Sequence, residues 1–197
     1  RDPRNGGVAL GSLRSPPPVA PEERQKAAAA AAAAATEAAI TELRQVADEL
    51  VEALRHQGYG SNPELVGIAG GSPSLGWVTT LMRGAYVRMP HLIGGRPSYQ
   101  KVRRKPGSGR NASIGEVIFS QVYISWCPRS ARWRIADRPK ESNLRCYACS
   151  PLDYRRPHLP DIQGNWFVRE NQSSDWVEDP MLSVVSLAGK GQAPNDP

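Results

Sequence analysis

Cys146-Tyr-Ala-Cys149 is the spacing in this chain best suited to metal binding or thiol redox chemistry, and Cys127 is the remaining cysteine. A structural zinc needs four ligands, and Cys127, His91 and His158 form no second half-site beside the pair. A redox C-x-x-C sits at the start of a helix, where the dipole stabilises a thiolate. Leu144, Tyr147 and Pro151 instead suggest a short strand entering a loop. Three cysteines in a chain able to bury a core do not make a disulfide scaffold. Small semi-buried thiols are expected, and no metal.

Catalysis needs converging groups, and the sequence offers none at a recognisable spacing. His56, His91 and His158 fall on a helix end and in apparent loops, with no nucleophile motif beside them. Gly67, Gly70, Gly71 and Gly76 do not form the glycine pattern of a dinucleotide-binding turn. Asp137, Asp153, Asp161, Asp175, Glu178 and Asp179 read as turn carboxylates rather than a hydrolytic pair. The chain is expected to be non-catalytic and to carry no cofactor.

Binding chemistry is better represented. Residues 84–187 hold 16 Lys and Arg against 9 Asp and Glu, whereas residues 1–57 hold 7 against 8, so the positive field belongs to the second half. Tyr99, Tyr123 and Trp176 are candidate contacts for a protein or glycan, because aromatic rings give rigid contact area at small entropic cost. The alternative is a polyanion, single-stranded nucleic acid included. Arg129, Arg132 and Arg134, together with Arg103-Arg104-Lys105, would then hold phosphates while Trp133 or Tyr123 stacks on bases. Alternation weakens that alternative, since Trp133 and Ile135 share one strand face and the flanking arginines point to the other.

The elements that must position these residues divide the chain. Residues 1–20 are Gly- and Pro-rich and read as a linker. From Pro21, with Glu22 and Glu23 in the first turn and no Gly or Pro before Gly58, residues 21–57 read as one long Ala-rich helix. Ile40, Leu43, Ala47, Leu50 and Leu54 fall on one stripe, which either packs on the following module or mediates self-association. Residues 58–76, with six glycines, read as a mobile connection interrupted by the apolar stretch Leu65–Ala69.

The five tryptophans all follow that connection, while residues 1–57 contain no aromatic residue. Residues 77–188 should therefore form a mainly β module, an antiparallel meander or small barrel of about six to eight short strands. The expected strands are Trp77–Met82, Ala85–Met89, Ser98–Val102, Glu116–Trp126, Trp133–Ala136, Arg145–Cys149, Trp166–Arg169 and Leu182–Leu187. In Glu116–Trp126 the core set is Ile118, Val122, Ile124 and Trp126, with Phe119, Gln121, Tyr123 and Ser125 on the opposite face. Residues 189–197 read as a tail. No stretch approaches the roughly 20 apolar residues of a spanning helix, so no membrane span is expected. The sequons Asn111-Ala-Ser113 and Asn171-Gln-Ser173 matter only in a secreted chain, and the compartment stays open. The chain opens on Arg1, as a fragment of a longer product would.

Gly95-Arg96-Pro97-Ser98-Tyr99, then Tyr123-Ile124-Ser125-Trp126, Pro128, Trp133-Arg134-Ile135, Cys146-Tyr147-Ala148, Trp166-Phe167-Val168 and Trp176-Val177-Glu178-Asp179-Pro180 occur in a fixed order. In that order and spacing, Gly84–Ser186 resembles a Trp- and Tyr-rich β-module that recurs in multidomain proteins of algae, dinoflagellates and other protists. Gly94 stands where that pattern prefers Asn, Trp126 where it prefers Tyr, and Cys127 where Ser is usual. The resemblance implies an accessory or interaction module and carries over no catalytic residue. As architecture, Gly94-Gly95 before Arg96-Pro97 is a hairpin turn that should place Tyr99 opposite Tyr86.

Overall fold

The computed structural model describes residues 20–105, 116–138, 145–152, 159, 165–170 and 174–187. Residues 1–19 of the expected linker, the tail, both sequon asparagines, His158, Asp153 and Asp161 lie outside them. Among the described residues, no helix is long and apolar enough to cross a membrane.

A long helix, α1 (Pro21–His56), leads into a nine-stranded antiparallel sheet. The helix stops where Gly58 takes a positive φ of 86°. Gly58 N–H then bonds to the Arg55 carbonyl and Tyr59 N–H to the Leu54 carbonyl, both at 3.0 Å. This double bond pattern closes the orphan carbonyls of the last turn. The Tyr59 ring stacks on Phe119 at 5.2 Å and fixes the exit of the chain.

The strands are β1 (Leu65–Ala69), β2 (Gly84–Arg88), β3 (Tyr99–Arg104), β4 (Val117–Cys127), β5 (Arg132–Ala136), β6 (Cys146–Cys149), β7 (Trp166–Val168), β8 (Val177–Asp179) and β9 (Ser183–Ser186). β1 through β8 form a meander, and β9 returns to pair with β1, so β8 and β9 are opposite edges. Only Pro180, Met181 and Leu182 connect those two edges. A flat sheet would hold them roughly 38 Å apart at about 4.8 Å per strand, whereas the linking Cα steps reach at most about 14 Å. The connection therefore compels the sheet to curl, and it forms a half-barrel.

The turn that joins the edges is pinned from several sides. The buried Asp179 carboxylate accepts the N–H groups of Ser72 at 2.9 Å and Met181 at 3.0 Å. The Met181 carbonyl accepts Gly71 N–H at 3.1 Å. Gly70, with φ at 72°, sits so close that an added Cβ would lie 1.9 Å from the Met181 oxygen. Arg83 donates to the Gly70 and Gly71 carbonyls and completes the lock.

Two apolar layers flank the sheet. Inside the curl lie Val66, Ile68, Tyr86, Tyr99, Val122, Ile124, Trp126, Trp133, Ile135, Trp166 and Val168. Trp126 and Trp133 are directly paired across β4 and β5, with rings edge to face at 5.8 Å. On the outer face, Ala47, Leu50, Val51 and Leu54 of α1 pack on Leu65, Ala85, Val87, Val102 and Val117. The helix covers β1 to β4 and leaves the outer face of β5 to β7 uncovered by α1.

Several expectations change. Nine strands replace six to eight, and Leu65–Ala69, expected inside a mobile connection, is an interior strand paired to β2 and β9. Residues 77–82, expected as a strand, belong to a short helix, α2 (Gly76–Met82), preceded by a 3₁₀ turn at Pro73–Leu75. Leu75, Val78, Thr79 and Met82 face inward at helical spacing, leaving Trp77 56% exposed. Tyr86 lies opposite Lys101 rather than Tyr99, and Tyr99 lies between Arg88 and Ile124. The stripe offered for self-association is consumed within the chain, since Leu50 and Leu54 are buried against the sheet, Ile40 is buried and Leu43 is partly buried against the same cluster.

Candidate functional site

The register of β4 to β7 decides which side chains share the outer face not covered by α1. Ser125, Arg134, Cys149 and Phe167 lie in one row across four strands, and Cys127 and Arg132 begin the next. In β6 an extra residue, Tyr147, separates the partners of Ile135 and Ala136. That bulge turns Cys146 and Cys149, three apart in sequence, to the same face. Arg169 follows β7 and anchors to β6, its backbone N–H bonding Tyr147 at 3.1 Å and its Nε the Cys146 carbonyl at 3.0 Å.

Of these, Arg132, Arg134, Cys146, Cys149 and Arg169 line a concavity of about 400 Å³, together with Ser130 and Trp176. Among the described residues the lining contains three guanidinium groups and no carboxylate. Each arginine is held by its neighbours. Arg132 donates to Cys149 Sγ at 3.4 Å and lies over Phe167, Arg134 donates to Ser130 Oγ at 3.3 Å, and Arg169 lies over the Trp176 ring at 4.9 Å. Such stacking holds a guanidinium flat while leaving its positive field in place. Glu178 lies one strand beyond Phe167 and is bonded by Asn165.

Cys146 and Cys149 are the thiols of the lining, and Cys127 lies outside it. Burial, with the nearby Cys149 second, pushes the Cys146 thiol up to about 12, so it stays protonated at neutral pH. Burial works to raise Cys127 as well, but hydrogen bonds from the hydroxyl and backbone of Ser130, helped by Arg134, outweigh it and lower that thiol. All three cysteines are free. Among the described residues no three or more His, Cys, Asp or Glu side chains cluster as a metal site. The C-x-x-C occupies a strand, without the helix N-terminus a reactive dithiol uses.

Of the residues singled out in the sequence, Arg132, Arg134 and Trp176 come together here. Arg129 is exposed in the β4–β5 turn, outside the lining. Arg103 and Arg104 lie elsewhere: Arg103 is opposite Ile118 and Arg132 opposite Cys127, nine positions along β4, or roughly 30 Å at about 3.3 Å per residue. Arg104 is ion-paired with Glu49 of α1, and Lys105 with Glu116 at 2.6 Å. Tyr99 is buried, its hydroxyl donating to Glu64 at 2.7 Å, so it offers no contact surface. Tyr123 is half-buried and its phenol accepts Gln100 Nε2 at 3.1 Å. Trp133 is fully buried, as the strand alternation requires, and cannot stack on an external base.

Arg169 escaped the sequence reading, because nothing in its own neighbourhood signals that β7 will deliver it beside β5. Arg96 has a structural role: Gly94 and Gly95, both at positive φ, form the turn bridging Ile93 and Arg96, and the Arg96 guanidinium lies 3.5 Å from the Trp126 ring centre. A second concavity of about 530 Å³ lies between the end of α1 and β2, bordered by Tyr59, Glu64 and Arg88. Its central charges, Glu64 and Arg88, pair with each other at 2.9 Å. The arginine concavity is thus the stronger candidate. No family model matches this sequence, and it has no match among curated proteins or solved structures.

Proposed function

We propose that the protein is a non-catalytic interaction module whose outer β5–β7 face receives an acidic segment of a partner protein. The observation that carries this reading is the convergence of Arg132, Arg134 and Arg169 on a concavity without a described carboxylate, rimmed by the 41% exposed Trp176. Arginines already held by aromatic rings and strand carbonyls lose little freedom on binding, and a cation-rich concavity steers anionic partners toward it. The helix supports the same view, because its buried contacts are with β1 to β4 and not with this half of the outer face. An accessory role within a larger polypeptide also agrees with the resemblance to a module of protist multidomain proteins.

Nucleic acid is the second reading. Phe167 and Trp176 supply rings beside cations that Trp133 does not, although Arg132 and Arg169 already lie over those rings. A salt titration separates the two, because each phosphate contact adds to a steep salt dependence. The direct test is calorimetry with a glutamate-rich peptide and with an oligothymidine. The peptide should bind at low salt, and Arg134→Glu should weaken it at least about tenfold by placing a like charge in the concavity. Tighter binding of the oligothymidine, with a steep salt slope, would favour the nucleic-acid reading. Absence of binding by either ligand would remove both.

A further inference from the structure

We infer that the second concavity, between the end of α1 and β2, is a binding site for a neutral sugar carrying adjacent hydroxyls. It shares no lining residue with the arginine concavity, so the inference is independent of the acidic-partner reading. Its volume of about 530 Å³ falls within the range of roughly 300–1,000 Å³ that small-molecule sites occupy.

The charges of the lining select an uncharged ligand. The register that pairs Leu65 with Val87 sets Glu64 beside Arg88, whose backbone N–H donates to the Glu64 carbonyl at 2.9 Å. Their side chains pair at 2.9 Å as well, and among the described residues no other charged side chain lines the concavity. An anion entering there meets the carboxylate and a cation meets the guanidinium, whereas a neutral ligand disturbs neither.

The bonding capacity left over selects hydroxyls. A guanidinium carries five N–H donors, and a carboxylate offers about four acceptor positions. Among the described residues the Arg88 guanidinium donates one bond, to Glu64, and the Glu64 carboxylate accepts two, from Arg88 and from the Tyr99 hydroxyl at 2.7 Å. Donors and acceptors therefore stand side by side on two half-exposed side chains. A hydroxyl both accepts and donates, so two adjacent hydroxyls can take bonds from Arg88 and give them to Glu64. Tyr59, Pro63, Met89 and Pro90 line the same concavity and match the C–H face of a sugar ring.

The groups are in place before a ligand arrives. Both oxygens of the Glu64 carboxylate are engaged, and so is its backbone carbonyl. Tyr59 is fixed by its N–H bond to Leu54 and by its stack on Phe119, yet stays 39% exposed. Arg55 Nε donates to the Ser61 carbonyl at 2.5 Å and ties the connection between α1 and β1 to the helix. Little freedom is left to lose on binding.

The test is magnetic resonance of the full chain titrated with the methyl glycosides of glucose, galactose and mannose. At least one should shift the Arg88 Nε–H and Tyr59 ring signals together, leaving the Trp176 indole signal fixed. Its affinity should change less than about twofold as salt rises to about 0.5 M, since no net charge is neutralised. A deoxy analogue of that glycoside, lacking one of the adjacent hydroxyls, should bind at least about tenfold more weakly, because it leaves polar groups of the site unpaired. Arg88→Lys keeps the ion pair with Glu64 but loses the planar fork, and should weaken the glycoside several-fold. Arg88 and Tyr59 signals unmoved by all three glycosides would overturn the inference. Equal binding of the deoxy analogue, or tighter binding of a glutamine-rich peptide at the same signals, would overturn it too. None of these failures bears on the glutamate-rich peptide, whose site lies on β5 to β7.

Discussion

Tyr99 shows how burial converts a candidate contact into a structural group. Its ring lies in the inner layer, and its hydroxyl donates to Glu64. Burial, followed by the bond to Glu64, raises its phenol well above the ordinary value. Tyr86, fully buried with its hydroxyl on the Met82 carbonyl, is raised as well by burial. A folded pKa above the unfolded value of about 10 means that the folded state holds these protons more tightly. Their stabilising contribution is therefore complete below pH 10 and is lost as the pH climbs past it. Lys101 acts with the opposite sign, since burial and the neighbouring Arg103 lower its pKa, so a comparison at one site is cleaner than the whole profile. Tyr99→Phe should cost about 1 kcal/mol at pH 7 and should make the loss of stability between pH 10 and 11.5 shallower than in the parent protein. Urea denaturation across that range checks both, and an unchanged alkaline slope would contradict the assignment. The same scale explains a thiol: burial, with the neighbouring Cys149 second, pushes Cys146 up to about 12, so it stays protonated at neutral pH.

At the scale of elements, the helix and the β4–β5 hairpin were legible because each has one clear period. Leu50 and Leu54 recur at helical spacing, and Val122, Ile124 and Trp126 alternate, so burial of one face follows directly. Leu54→Ala should accordingly cost about 2–5 kcal/mol, whereas Val46→Ala, on the exposed side of the same helix, should stay within about 0.5 kcal/mol. Denaturant midpoints of the two variants check this, and equal shifts would mean that the helix does not pack as described. Leu65–Ala69 was hidden because it is buried on both faces, under α1 and over the inner layer, and a doubly buried strand loses its alternation. Trp77–Met82 misled in the other direction: its β-branched residues favour a strand, but burying Leu75, Val78, Thr79 and Met82 together requires a helical turn. Arg132 and Arg134 were readable as an outward pair, yet their meeting with Arg169 depends on strand register and on the bulge at Tyr147. Neither leaves a local mark in the sequence.

Across the whole molecule, the three-residue link between opposite edges makes the sheet curl, and the curl separates two surfaces of different use. The inner surface gathers the tryptophans Trp126, Trp133 and Trp166, and the outer surface is divided between a helix-covered half and an arginine-bearing half. Charge reinforces that division, because Arg104 and Lys105, at the helix-covered end of the sheet, are paired with Glu49 and Glu116. A partner drawn by the positive field of the second half of the chain should therefore settle over β5 to β7. Magnetic resonance of the full chain, following the arginine Nε–H and tryptophan indole signals while a glutamate-rich peptide is added, locates that partner directly. The signals of Arg132, Arg134, Arg169 and Trp176 should move together and saturate with one affinity, while those of Arg55 and Arg104 stay fixed. Movement centred on Arg103 and Arg104, with the four concavity signals unmoved, would contradict the placement of the binding face.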